Sequence, residues 1–203
     1  MKWPIKTLLI TLSLFGLMGS LNHSANAATQ QYEPMSESVR LALRSAVHDE
    51  LETESFDIPD DSFYERGMWL VKQSNRLQRF IKNEDERLYF LRMLRYEAKR
   101  AGLSPDLVLA VIHVESGFKN KITSNAGARG LMQIMPFWSK VIGDGDPDKL
   151  FHARTNLRYG CTILKHYLDM EKGDITAALA RYNGSIGRAV YPRAVFSTFK
   201  RWQ

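Results

Sequence analysis

One cysteine, Cys161, is all that 203 residues offer, so no intrachain disulfide can brace the fold. Stability must then come from a buried apolar core. Cys161 itself falls in a helical pattern and reads as a small buried residue. Alternating apolar and polar positions never run long enough to make a strand, which argues against a sheet. The mostly apolar run Leu8–Met18 is short of the roughly 20 residues that a membrane-spanning helix needs, so no stable membrane span is expected. Metal signals are missing too. His113, His152 and His166 lack H-E-x-x-H spacing. Asp144-Gly145-Asp146-Pro147-Asp148 starts like a calcium loop, but Lys149 falls where glycine is required and Thr155 where glutamate is required. No serine lies in a G-x-S-x-G turn. The sequence asks for no metal and no cofactor.

The first residues carry targeting information. Lys2 and Lys6 give a positive start ahead of the apolar run, and Ala25-Asn26-Ala27 supplies an A-x-A cleavage site before Ala28. That order reads as a secretory signal peptide over residues 1–27, cut after Ala27. The mature chain is therefore expected to be exported. Charge beyond the cut is uneven: residues 28–100 carry 12 Lys/Arg and 14 Asp/Glu, whereas residues 101–203 carry 14 and 8. A basic half suits an anionic polymer. Export argues against nucleic acid and leaves the cell wall as a polyanionic neighbour.

Residues 28–61 read as a weakly ordered extension or acidic linker, with a short amphipathic helix around Glu37–Val47. Its last stretch, His48–Asp61, holds seven acids and no Lys or Arg, a composition that favours solvated chain. Helical pattern follows. Residues 62–82 place Leu70, Leu77 and Ile81 on one side. Asn83 caps the next helix with Glu84, Asp85 and Glu86 in its first turn; Leu91, Leu94 and Ala98 form its apolar face and Gly102 closes it. Ser104 and Pro105 start a third helix. Asn156–Lys172 spaces Leu157, Cys161, Leu164 and Leu168 helically and ends at Gly173, after which Asp174 caps a last helix that stops at Asn183-Gly184. Loops are expected over Asn120–Met135 and Gly143–Thr155. The fold is mainly α, with residues 62–94 a helical extension packed on a domain over residues 95–203.

One carboxylate breaks this pattern. Leu107, Val111 and Glu115 are spaced four apart and share a side of the third helix. Glu115 thus extends the apolar stripe. A carboxylate kept partly dry holds its proton to higher pH, which a general acid requires. Gly117 ends the helix there and leaves Glu115 at its mouth. Helix position alone favours a structural glutamate, paired with an arginine or capping a loop amide. Two further stretches, Gly127–Pro136 (GARGLMQIMP) and Ala180–Ser185 (ARYNGS), are each weak alone, since glycines mark turns, methionines fill cores and Asn-Gly stops helices.

Taken in order, Glu115-Ser116-Gly117-Phe118, Gly127–Pro136 and Ala180–Gly184 resemble the catalytic domain of the soluble lytic transglycosylase family, with Asn156, Gly160 and Leu164 resembling its intervening helix. The likeness covers roughly residues 95–190. Arg181 departs from it, replacing the small residue common before Tyr-Asn. The resemblance implies a lysozyme-like (goose-type lysozyme/SLT) helical domain in the periplasm that acts on peptidoglycan glycan strands. It implies cleavage of the β-1,4 bond between N-acetylmuramic acid and N-acetylglucosamine without water, the muramyl 6-hydroxyl closing on C1. Many glycosidases use two carboxylates, yet none occurs between Glu115 and Asp144. By the resemblance, Glu115 serves first as acid and then as base, with Ser116, Met132, Gln133, Tyr182 and Asn183 around the substrate. Two alternatives stay open: a hydrolytic muramidase on the same fold, and a non-catalytic wall-binding or secretion-apparatus scaffold whose protein partner is unknown.

If residues 1–27 are a cleaved signal, N-terminal sequencing of the exported protein should begin at Ala28. A mature chain that still starts at Met1 contradicts the assignment.

Overall fold

A computed structural model of the chain describes residues 30–48, 56 and 62–203. The expected signal segment and most of the acidic stretch His48–Asp61 lie outside the described residues. Among the described residues eight α-helices follow one another: α1 (Glu37–His48), α2 (Phe63–Leu77), α3 (Glu84–Arg100), α4 (Pro105–Glu115), α5 (Phe137–Ile142), α6 (Ala153–Met170), α7 (Ile175–Tyr182) and α8 (Val190–Phe199). A 3₁₀ helix, Pro147–Phe151, sits between α5 and α6. Among the described residues the only extended pairing is two isolated bridges in the loop before α5. The chain is mainly α.

Local chemistry explains several helix starts. Asn83 accepts a hydrogen bond from the Glu86 N–H (2.9 Å), and Asp174 accepts from Thr176 and Ala177 N–H (2.8 and 3.1 Å), so both side chains satisfy first-turn donors. Ser104 takes the cap position before Pro105, but its hydroxyl makes no capping bond. The first α4 turn is secured differently. Asp106 accepts from Trp69 Nε1 (2.6 Å) and Gln73 Nε2 (2.9 Å), which ties it to α2. Two boundaries differ from expectation, and two helices are additional. α2 stops at Leu77, where the Phe80 and Ile81 N–H groups turn back onto the Leu77 carbonyl. α6 begins at Ala153 within the expected loop, and α5 and α8 were not foreseen.

α4 is the central helix. Val108, Leu109, Ala110, Val111 and Ile112 have no exposed surface, and α3 and α8 pack against it. α6 packs on α1, α3 and α7. α3 and α6 are joined by a buried ionic cluster. Glu97, wholly enclosed, accepts from both Nε and Nη2 of the equally buried Arg158 and also meets Arg100 and Arg154. Ahead of α1, Gln30 accepts from Trp138 Nε1 at 3.0 Å.

Removing Glu97 strands a buried guanidinium. Glu97→Ala should cost about 3–5 kcal/mol in urea unfolding, and the double change Glu97→Leu/Arg158→Leu should recover much of it. A single-variant loss near zero would show that the cluster is not a structural lock.

Candidate active site

α4 delivers Glu115 as its last residue. Gly117, at φ 56°, and Phe118, at φ 66°, take the left-handed conformation that turns the chain away. The Gly117 N–H reaches back to the Ile112 carbonyl at 3.1 Å. Ser116 is buried and donates its hydroxyl to the same carbonyl, also at 3.1 Å. Ser116 therefore helps to seal the helix end.

Glu115 keeps part of its surface open to solvent. Its Oε1 accepts a 2.6 Å hydrogen bond from the hydroxyl of Tyr191, in the first turn of α8. Burial pushes the Glu115 carboxyl up to about 7, against the Tyr191 hydrogen bond, which favours the ionised form and pulls the other way. Burial wins. The carboxyl is thus poised to hold and to release a proton near neutrality. Tyr191 was not anticipated from sequence. The clue available was the Tyr191, Val195, Phe199 spacing, whose first two members are buried against α4.

The glycine-rich loop is clamped to α6 by Asn156. Its Oδ1 accepts from the Met132 N–H (2.8 Å), while Nδ2 donates to the Arg129 and Leu150 carbonyls (2.9 and 2.7 Å). Gly130, at φ +76°, lies so close that a Cβ would meet Asn156 Nδ2 at 2.4 Å. Met132 is packed equally tightly, since a Cβ on Gly160 would meet its Sδ at 2.3 Å. Gln133 is buried with φ 51° and donates Nε2 to the Gly130 carbonyl at 2.8 Å. Its carbonyl oxygen remains the amide atom able to accept from a ligand.

Tyr182, fully buried at the end of α7, donates its hydroxyl to the Met132 carbonyl at 2.8 Å. That phenol is therefore committed to the loop, and the Glu115 charge, after burial, helps to hold it protonated. The structure thus brings Glu115, Tyr182 and Tyr191 within electrostatic reach of one another. Asn183 is buried as the residue that ends α7. Arg181 turns to Glu33 (2.7 Å) and Glu171 (2.7 Å). Asp144 pairs with Lys149. Two cavities, roughly 370 and 180 Å³, lie elsewhere and are not lined by Glu115.

Comparison with known proteins identifies a family and several relatives. A family model described as "Transglycosylase SLT domain" matches residues 92–198. The chain is 36% identical over 87 residues to a transglycosylase of Enterobacteria phage PRD1, covering 43% of this chain and 31% of that protein. It is 32% identical over 113 residues to a membrane-bound lytic murein transglycosylase C of Actinobacillus pleuropneumoniae serotype 5b, covering 48% and 31%. The chain thus spans about a third of the length of these curated relatives. An X-ray structure of an inactive mutant of lytic transglycosylase Slt from Pseudomonas aeruginosa aligns with TM-score 0.45 at 24% identity, over 69% of this chain and 27% of that one.

An acid whose folded pKa is raised opposes folding once ionised. From the unfolded value of about 4.5 up to about 7, rising pH ionises the unfolded chain first and stability falls; above 7 the loss is constant. Glu115→Gln should therefore be more stable than the parent at pH 8, by on the order of 2–3 kcal/mol, with the margin vanishing by pH 4. Urea unfolding at several pH values measures this. A pH-independent difference contradicts the raised pKa.

Proposed function

The chain belongs to the transglycosylase SLT domain family, and from that premise we propose that it is a peptidoglycan lytic transglycosylase with Glu115 as its sole acid and base. The observation that carries this reading is the part-dry carboxyl at the mouth of α4, near pKa 7 with a neutral phenol as its hydrogen-bond partner. A group so balanced can protonate the glycosidic oxygen as the bond between N-acetylmuramic acid and N-acetylglucosamine breaks. The resulting carboxylate then takes the proton of the muramyl 6-hydroxyl as that oxygen closes on C1. The proton count balances: one leaves Glu115 and one returns, and no water is consumed. A second carboxylate is unnecessary because the substrate supplies its own nucleophile, in contrast to the paired carboxylates of most glycosidases.

The Tyr191 hydroxyl steadies Glu115 in its ionised half of the cycle and fixes which oxygen stays free for the sugar. In this reading Met132 and Gln133 line the sugar site on a loop kept rigid by Asn156 and Tyr182, with Ser116 and Asn183 bracing the two helix ends. The substrate is the glycan strand of the wall, and the chain works in the periplasm after loss of residues 1–27. Residues 62–94 brace residues 95–203, an arrangement supported by the Trp69 and Gln73 contacts with Asp106. The described residues 30–48 brace that domain as well, a reading supported by the packing of α1 on α5 and α6.

Digestion of purified sacculi followed by mass spectrometry tests the chemistry. Released muropeptides should end in 1,6-anhydro sugars, one water lighter than hydrolysis products. Glu115→Gln should lower the rate by at least 10²-fold, a typical loss for a general acid–base group, while the fold persists. Reducing ends would instead make the protein a hydrolytic muramidase. Wall binding without release by the parent chain would favour a scaffold, and unchanged release by Glu115→Gln would remove Glu115 from the site.

A further inference from the structure

The larger cavity, roughly 370 Å³, opens between the end of α2 and the segment after α8, lined by Asn75, Arg76, Gln78, Arg79, Arg201 and Trp202. Three of these six are arginines and none is acidic. Clustered like charges repel unless something neutralises them. Asp106 does not line the cleft and is already taken up by Trp69 and Gln73. Arg76 spends Nη1 on the Trp202 carbonyl (2.6 Å) and on Gln73 Oε1 (3.3 Å), which fixes its guanidinium at the wall. The Arg79 guanidinium lies over the Phe80 ring, 4.7 Å from its centre, and the residue is exposed. Arg201 is exposed as well.

The back of the cleft holds buried polar atoms without partners. Trp202 is 1% exposed and its indole nitrogen has no hydrogen-bond partner, and the same holds for Nδ1 of His113. The two rings are neighbours, 5.8 Å between centres. Burial holds the His113 imidazole down to about 4, and the charges of Arg79 and then Arg201 push the same way. The positive field of the cleft therefore reaches into the core. His113 lies two residues before Glu115 and on a different side of α4, so this cleft is separate from the catalytic carboxyl.

We propose that the Arg76–Arg79–Arg201 cleft is a binding site for an oxyanion, a carboxylate or a phosphate group carried on a larger ligand. Guanidinium forks match both groups through paired N–H donors, and a cavity of this volume accommodates the group together with a few atoms of its carrier. The site does not depend on the chemistry at Glu115, and its test is read without an activity assay.

The chain is titrated at low ionic strength with inorganic phosphate and, separately, with succinate, while two-dimensional NMR follows the Trp202 indole N–H and the His113 ring. Sodium chloride at matched ionic strength is the control. Saturable shifts with at least one oxyanion are expected, and Arg79→Gln/Arg201→Gln should weaken that binding by about tenfold or more, the scale of one lost charge-assisted contact. Both positions are exposed, so the variant should fold, which a cooperative unfolding transition checks. Tighter phosphate binding assigns a phosphate-bearing source, tighter succinate binding a carboxylate-bearing one. Non-saturable shifts, equal shifts with chloride, or binding unaffected by the double variant overturn the proposal.

Discussion

Glu115 is held where two physical effects oppose each other. Removal from water favours its neutral form, and the 2.6 Å hydrogen bond from Tyr191 favours its charged form. The balance leaves the carboxyl near neutrality, and the site's chemistry rests on that balance. Two elements have to agree to create it. α4 must end immediately after Glu115, which the left-handed turn at Gly117 and Phe118 achieves. α8 must return across α4 to bring Tyr191, and the packing of those two helices does this.

The chain contains another glutamate in a protein interior, and the contrast is instructive. Glu97 is enclosed completely but faces Arg158, Arg100 and Arg154, so its charge is compensated where it stands. It joins α3 to α6 and serves structure. Glu115 has a phenol where Glu97 has guanidinium groups. Partial burial with a neutral partner leaves the proton of Glu115 labile, whereas Glu97 is held by ion pairs to three guanidinium groups. The same distinction separates a reactive carboxyl from a structural one in sequences where both appear as an unremarkable Glu on a helix. The loop beside Glu115 is held by equally specific means, because Gly130 and Gly160 leave room for Asn156 and Met132 that no larger residue would.

What could be read from sequence was local. Asn83 and Asp174 cap their helices as their residue types require, and the i, i+4 spacing of Leu107, Val111 and Glu115 placed the carboxylate on the inner side of α4. The glycine-rich loop and the Tyr182-Asn183 helix end were legible as ordered motifs. Long-range facts were not. Glu97 sits in a basic last turn and looks solvated until Arg158, 61 residues later, is folded against it. Tyr191 is 76 residues from the carboxylate it contacts. α8 contains Val190, Pro192, Val195 and Thr198, residues of weak helix propensity, so packing against α4 stabilises it more than local preference does. The committed hydroxyl of Tyr182 likewise depends on Met132, which reaches it only in three dimensions.

The most direct measurement is the titration of the Glu115 carboxyl itself by carbon-detected NMR of selectively labelled protein, alongside Tyr191→Phe. A midpoint near 7 in the parent, moving higher when the phenol is lost, is the expected result. A midpoint near the 4.3 of a solvated glutamate, indifferent to Tyr191, would contradict the account.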